Sequence, residues 1–291
     1  MSLPRILFLA LLPALLILGA HVVLQIFNDW LVLGGRLVGP DADMRVLRVL
    51  ELAQGGSWYD PVSERSNAPF GEVLHWTRPL DVILLLGGTL GAVFTDFQTA
   101  LFVWAALFGP ALHFLTLLVL LWAFAALFDR DALLLLGLLF AVQFFITFQF
   151  ALGRPDHHGL NMLLFIWQMG FAFRLARVDC ARNIVPLAAL AAAFAFWISI
   201  EGGLGTAMIL AALTFAWIIN GGRFLDSMAR FLAFLCLGLA VALVLERPPG
   251  NLLAIEFDRL SIVHLALFGL LAIFAQAARL FPNAATRPMH R

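Results

Sequence analysis

Eight stretches of this chain are predominantly apolar over about the 20 residues that an α-helix needs to cross a hydrocarbon layer. They lie near 6–28, 98–127, 132–151, 160–178, 184–200, 203–220, 227–246 and 261–280. Lipid offers backbone amides no hydrogen-bond partner, so each such run must satisfy its own backbone as a helix. Composition points the same way: 63% of residues are hydrophobic and 12% are charged, against roughly 45–50% and 25% in soluble domains. The expected fold class is therefore all-α, a polytopic membrane protein of about eight transmembrane helices forming a single domain over 1–291. The lipid bilayer is its first partner, and no nucleic-acid partner is expected. The first run follows Arg5 and is trailed by Gly19 and Ala20, but it is longer than a signal-peptide apolar region and reads as a retained signal anchor. Cys180, in a loop, and Cys236, inside a run, are expected to form neither a disulfide nor a thiolate metal site.

All 18 basic residues are arginines. A ninth apolar run, 80–95, is shorter and broken by glycines. If it lies along the membrane surface, the connections near 129–131, 174–183 and 220–230 and both chain ends share one side. That side holds ten arginines (Arg5, Arg130, Arg174, Arg177, Arg182, Arg223, Arg230, Arg279, Arg287 and Arg291) against four acids (Asp129, Asp131, Asp179 and Asp226). Arginine excess in short loops marks the cytoplasmic side. The other side, with eight arginines and fourteen acids, becomes an acidic extracytoplasmic face suited to cations. The expected location is the cytoplasmic membrane of a bacterium or archaeon, with the N-terminus inside.

One polar connection, about 29–81, exceeds all others and faces outward. Within it, "GPDADMRVLRVLELAQGG" reads as a short helix near 42–54: Asp41 or Asp43 serves to cap its start, and Gly55 and Gly56 end it. Arg45, Arg48 and Glu51 form a polar stripe opposite Met44, Leu47 and Leu50, the pattern of a helix lying on the bilayer surface. The following "SWYDPVSERSNAPFGEVLHWTRPLD" reads as an irregular loop. Its Trp58, Tyr59, Phe70 and Trp76 suit an interfacial aromatic belt.

Chemistry-bearing residues gather at the outer ends of the runs. In "GRPDHHGLN", Pro155 disfavours helix in Arg154, so the segment arrives extended, and Asp156 and His158 point the same way while His157 points away. Either Asp156 caps the next span, or Asp156 and His158 converge on an ion. Asp41 and Asp43 are open between helix capping and supplying a second oxygen ligand. An Asp/Asp/His set without thiolate suits Mn²⁺ or Mg²⁺. Glu201, beside Gly202 and Gly203, is either a turn residue or a third carboxylate acting as ligand or base. Arg259, with His264 nearby, either snorkels or pairs with an anion such as a diphosphate. Arg154, His75 and Arg78 complete the set of candidate substrate contacts.

The order of these features resembles the GT-C glycosyltransferases, in particular the membrane module of oligosaccharyltransferase catalytic subunits. In "DADMRVLRVLELAQG", Asp41 falls where that family has its first-loop catalytic aspartate. In "ALGRPDHHGLNML", Asp156 and His158 fall on its second motif, in an Asp-x-His form. The resemblance covers roughly the first 200 residues. It implies a divalent ion held by Asp41, Asp156 and His158 with support from Glu201, a polyprenyl-linked sugar donor and an extracytoplasmic acceptor, whether protein, lipid or glycan. It also implies that 80–95 belongs to the outer loop. The family usually has eleven or more spans and a WWD-type acceptor motif. This chain has about eight and no WWD, so sequon recognition does not carry over and a partner subunit is a possible complement. A non-catalytic accessory subunit or truncated relative of that family, and a small-solute transporter, are the competing classes. A transporter places its charges at the bilayer midplane, whereas these gather at span ends.

Overall fold

The computed structural model describes residues 3–27, 30–178 and 183–281. Cys180, Asp179, Arg182, Arg287 and Arg291 lie outside the described residues. The described chain is mostly helical: α1 Leu3–Phe27, α2 Pro40–Ala53, α3 Arg78–Gly91, α4 Phe97–Phe124, α5 Arg130–Ala141, α6 Phe144–Gln149, α7 His157–Leu175, α8 Ile184–Ile198, α9 Gly203–Asn220, α10 Gly222–Glu246 and α11 Ile262–Ala278. Its strands are two residues each, β1 Val62–Ser63 and β2 Glu72–Val73, paired antiparallel with Val62 opposite Val73. Four helical stretches are long and apolar enough to span a membrane: α1, α4, Ile200–Asn220 and α10. The helices α8 and α11 are apolar but shorter. The run 132–151 is split into α5 and α6, because Gln143 takes an extended backbone between them.

The chain forms two compact units, residues 1–163 and 164–291, dividing within α7. In the first unit α1 packs on α4 and α5, α3 runs along α4, and α2 lies on α3 and α4. Leu37 and Ala42 are buried with Ala106 of α4, flanked by Val32, Val46 and Phe102. This apolar patch seats the start of the long connection on α4. In the second unit α10 packs on α8, α9 and α11. The alanine-rich face of α8 allows close approach: a Cβ on Gly238 would come within 2.6 Å of Ala193 Cβ. Gln168, fully buried, donates to the Gly202 carbonyl at 3.2 Å and accepts from Thr206 Oγ1 at 3.0 Å.

The start of α2 differs from the sequence reading. The helix begins at Pro40 with Gly39 as N-cap at φ 90°, so Asp41 and Asp43 sit inside the first turn and neither caps it. Both acids are exposed there, where a negative charge favours the helix dipole. Two of the three stripe residues also turn inward, while Glu51 stays exposed. Arg45 and Arg48 are buried, because Asp81 of α3 waits opposite them. Its carboxylate, 0% exposed, accepts from Arg45 Nη1 at 2.9 Å, Arg48 Nε at 2.7 Å and Arg78 Nη1 at 3.1 Å. Trp76, expected in an interfacial belt, is buried within the protein with Arg45 stacked over its ring at 4.1 Å.

Candidate metal centre

Three local devices set the position of Asp156. Gly153 takes φ 84°, and a Cβ there would lie 2.6 Å from Val32 Cγ2, so neither its conformation nor its surroundings admit a side chain. In that conformation its N–H donates to the Ala106 carbonyl at 2.9 Å, while its own carbonyl accepts from Val38 N–H at 2.8 Å. Gly109, one turn further along α4, lets Phe150 and Ala151 approach: a Cβ there would stand 2.6 Å from the Phe150 oxygen. The Asp156 loop is thus strapped to α4 at Ala106, the same residue against which Ala42 packs. Asp41 and Asp156 each follow a strapped residue by three positions, Val38 and Gly153. Asp156 is close enough to Arg45 for its charge to favour that guanidinium's protonated form, against the larger pull of burial.

Asp156 sits immediately before α7 with its side chain 4% exposed. Its Oδ1 accepts from His157 N–H at 2.6 Å and lies 2.7 Å from His157 Nδ1, and its Oδ2 is 3.6 Å from His158 Nε2. The ligand atoms of Asp156, His157 and His158 all fall within 4.8 Å of one another. Among the described residues Asp41 is not part of that group. His157 does not point away: helix begins at His157 itself, so the i and i+2 relation of extended chain ends there, and both rings fold back toward the carboxylate with centroids 4.3 Å apart. Burial works to raise the Asp156 carboxyl, but the His157 hydrogen bond and the charges of both histidines hold it well below the usual carboxylate range. Arg154 Nη2 stands 3.5 Å from Asp156 Oδ2, and its guanidinium lies over Phe148 at 4.9 Å.

One carboxylate and two imidazoles, one of them on a half-exposed residue, form a donor set that fits a divalent transition ion. Two nitrogen donors shift the preference from Mg²⁺ toward Mn²⁺ or Zn²⁺.

The other candidates have definite places. Arg78 is 3% exposed and donates to the carbonyls of Ser57, Trp58 and Asp60 as well as to Asp81, so it braces the loop and has little left for a substrate. His75 is exposed and meets Trp76 edge-on. In the second unit, Glu201 is exposed in the turn Ile200–Gly202, its N–H donating to Ser199 Oγ at 3.3 Å. Arg259 commits Nε and Nη2 to Glu256, so an anionic ligand would compete with that carboxylate. His264 Nδ1 accepts from Ser261 N–H at 3.2 Å, closing a capping box at the start of α11. Glu256, which the sequence reading passed over, is the centre of this group. Arg247 grips it with two 2.8 Å bonds, and hydrogen bonds from Arg247 and Arg259 pull its carboxyl down to about 2.

The fold has a structural counterpart. The chain shares its fold with an archaeal oligosaccharyltransferase. The apo enzyme of Archaeoglobus fulgidus superposes with a TM-score of 0.76 at 15% identity, covering 94% of this chain and 33% of that one. The same enzyme, AglB, in complex with an inhibitory peptide and a dolichol-phosphate gives 0.76 at 16% identity over 94% and 33%. Its complex with Zn and sulfate gives 0.71 at 16% identity over 94% and 35%. The chain therefore spans about a third of that enzyme's length, and the resemblance read from the sequence holds at the level of fold. No protein-family model matches the chain, and no curated protein matches it in sequence.

Proposed function

We propose that this membrane protein is a glycosyltransferase module that moves a sugar or oligosaccharide from a polyprenyl phosphate or diphosphate donor to an extracytoplasmic acceptor. The observation that carries the reading is the Asp156, His157 and His158 cluster, on a loop tied to α4 at the level where the Asp41 segment docks, within a fold shared with an oligosaccharyltransferase. Asp156, His157 and His158 hold a divalent ion, with Asp41 approaching from the strapped first loop. Bound there, the ion supplies charge stabilisation to the leaving phosphate. Asp43, Arg154 and His75 supply polar groups to the donor. The archaeal enzyme's structures with dolichol-phosphate and with a tethered acceptor peptide support a lipid-linked donor and a peptide as one acceptor class. In this reading about eight spans cross the membrane, the N-terminus is cytoplasmic and the metal centre faces outward.

The test is metal-dependent transfer from a polyprenyl-linked sugar by the wild type, Asp41→Asn and Asp156→Asn, with melting temperature measured in parallel against Mn²⁺ and Zn²⁺. Loss of transfer in both variants, with the metal-induced shift lost in Asp156→Asn, is the expected result. Transfer unchanged in both refutes it. A wild type with no metal response and no transfer favours a non-catalytic accessory subunit of this fold.

A further inference from the structure

Two histidines of the apolar runs meet inside the first unit. His21 of α1 and His113 of α4 are 7% and 0% exposed, with His113 Nδ1 3.2 Å from His21 Nε2. Gln25, one turn after His21 and on the same face of α1, is 4% exposed. Their remaining polar atoms, His21 Nδ1, His113 Nε2 and Gln25 Nε2 and Oε1, are buried without a hydrogen-bond partner in the protein. No ion pair among the described residues includes them. Leaving a buried polar atom unmet is destabilising, and in a membrane interior such groups mark candidate functional sites.

The valences select the ligand. A hydrogen bond between two neutral imidazoles uses one N–H and one lone pair, so the outer nitrogens present one donor and one acceptor whichever tautomers are adopted. The Gln25 amide adds further donors and an acceptor. A cation would satisfy only the acceptors and an anion only the donors. Water satisfies both, and bound water needs two to four such partners.

We propose that His21, Gln25 and His113 form a water-binding site inside the helix bundle that supports the candidate metal loop from beneath. The link is Phe150. Its ring stacks on His113 at 4.7 Å with planes 8° apart, and a Cβ on Gly159, the residue after His158, would stand 2.9 Å from Phe150 Cδ1. Hydrated and fixed, His113 provides the platform on which Phe150, and through it the start of α7, rests. The site is a property of the bundle and stands whether or not the metal centre transfers sugar.

Radiolytic hydroxyl-radical footprinting of the full chain in lipid nanodiscs tests this, because radicals generated from bound water oxidise the side chains that touch it. His21 and His113 are expected to be modified at rates typical of exposed side chains, while Phe150 and Leu117, 0% and 1% exposed, stay unmodified. Wild-type histidines as inert as Phe150 would overturn the proposal. In His21→Leu, His113 modification is expected to fall several-fold. An unchanged rate there would mean general solvent access and also overturn it. If that variant does not fold, the wild-type rates decide alone.

Discussion

Neutralising Asp81 is the sharpest perturbation of the first unit. Its carboxylate is 0% exposed and takes three charged hydrogen bonds, at 2.9, 2.7 and 3.1 Å, from Arg45, Arg48 and Arg78. In Asp81→Asn three buried guanidinium groups lose their shared counter-charge, and breaking a buried ion pair from one side costs about 3–5 kcal/mol. Since 1.36 kcal/mol is a factor of ten, release of α2 from α3 should become roughly 10²- to 10⁴-fold more frequent. The readout is thiol labelling of Val49→Cys, a position 0% exposed in α2, in a background with Cys180 and Cys236 replaced by serine. Labelling in the Asp81→Asn background should accelerate by at least two orders of magnitude. Acceleration of less than threefold would show that the arginines are not held by Asp81, and the account of why the α2 stripe turns inward would fall with it.

Gly109→Ala separates helix propensity from packing. Alanine for glycine in a helix interior ordinarily gains about 0.5–1 kcal/mol, but the new Cβ would lie 2.6 Å from the Phe150 oxygen, so the melting temperature should fall rather than rise. Gly153→Ala meets both φ 84° and Val32 at 2.6 Å, and should weaken Mn²⁺ or Zn²⁺ binding in titration calorimetry along with thermal stability. Gln168→Leu removes two buried hydrogen bonds and leaves Thr206 Oγ1 only its longer 3.4 Å bond to the Gly202 carbonyl, a loss of about 1–3 kcal/mol visible as a lower melting temperature. Glu256 is held down to about 2 from an ordinary 4.5 by Arg247 and Arg259, so its stabilisation is complete above pH 4.5 and lost as pH falls toward 2. The melting-temperature gap between wild type and Glu256→Gln should stay constant from pH 7 to 5 and close below 4.5.

Much of the candidate centre is legible in the sequence because it is local. Asp156, His157 and His158 are adjacent, Pro155 stops helix before them, and an acid beside two histidines carries its own coordination chemistry. The reading failed where one dihedral mattered: with helix starting at His157, that ring turns toward Asp156. The α2 stripe failed for a different reason. Arg45, Arg48 and Glu51 have the spacing of a solvated face, and nothing within 42–54 reveals that Asp81, over thirty residues on, faces the two arginines. Glu256 was missed likewise, since an acid in a loop gains meaning only from the arginines that meet it.

The apolar runs by themselves determined that this chain is a helical membrane protein, because backbone amides in lipid have no other way to be satisfied. The clustering of acids and histidines at the ends of those runs marked where a candidate site would lie. Only the tertiary structure decided which polar groups are partners. Charge compensation and hydrogen-bond valence are settled pairwise in space, as Asp81 among three arginines and His21 against His113 show, and sequence spacing does not encode a partner on another helix.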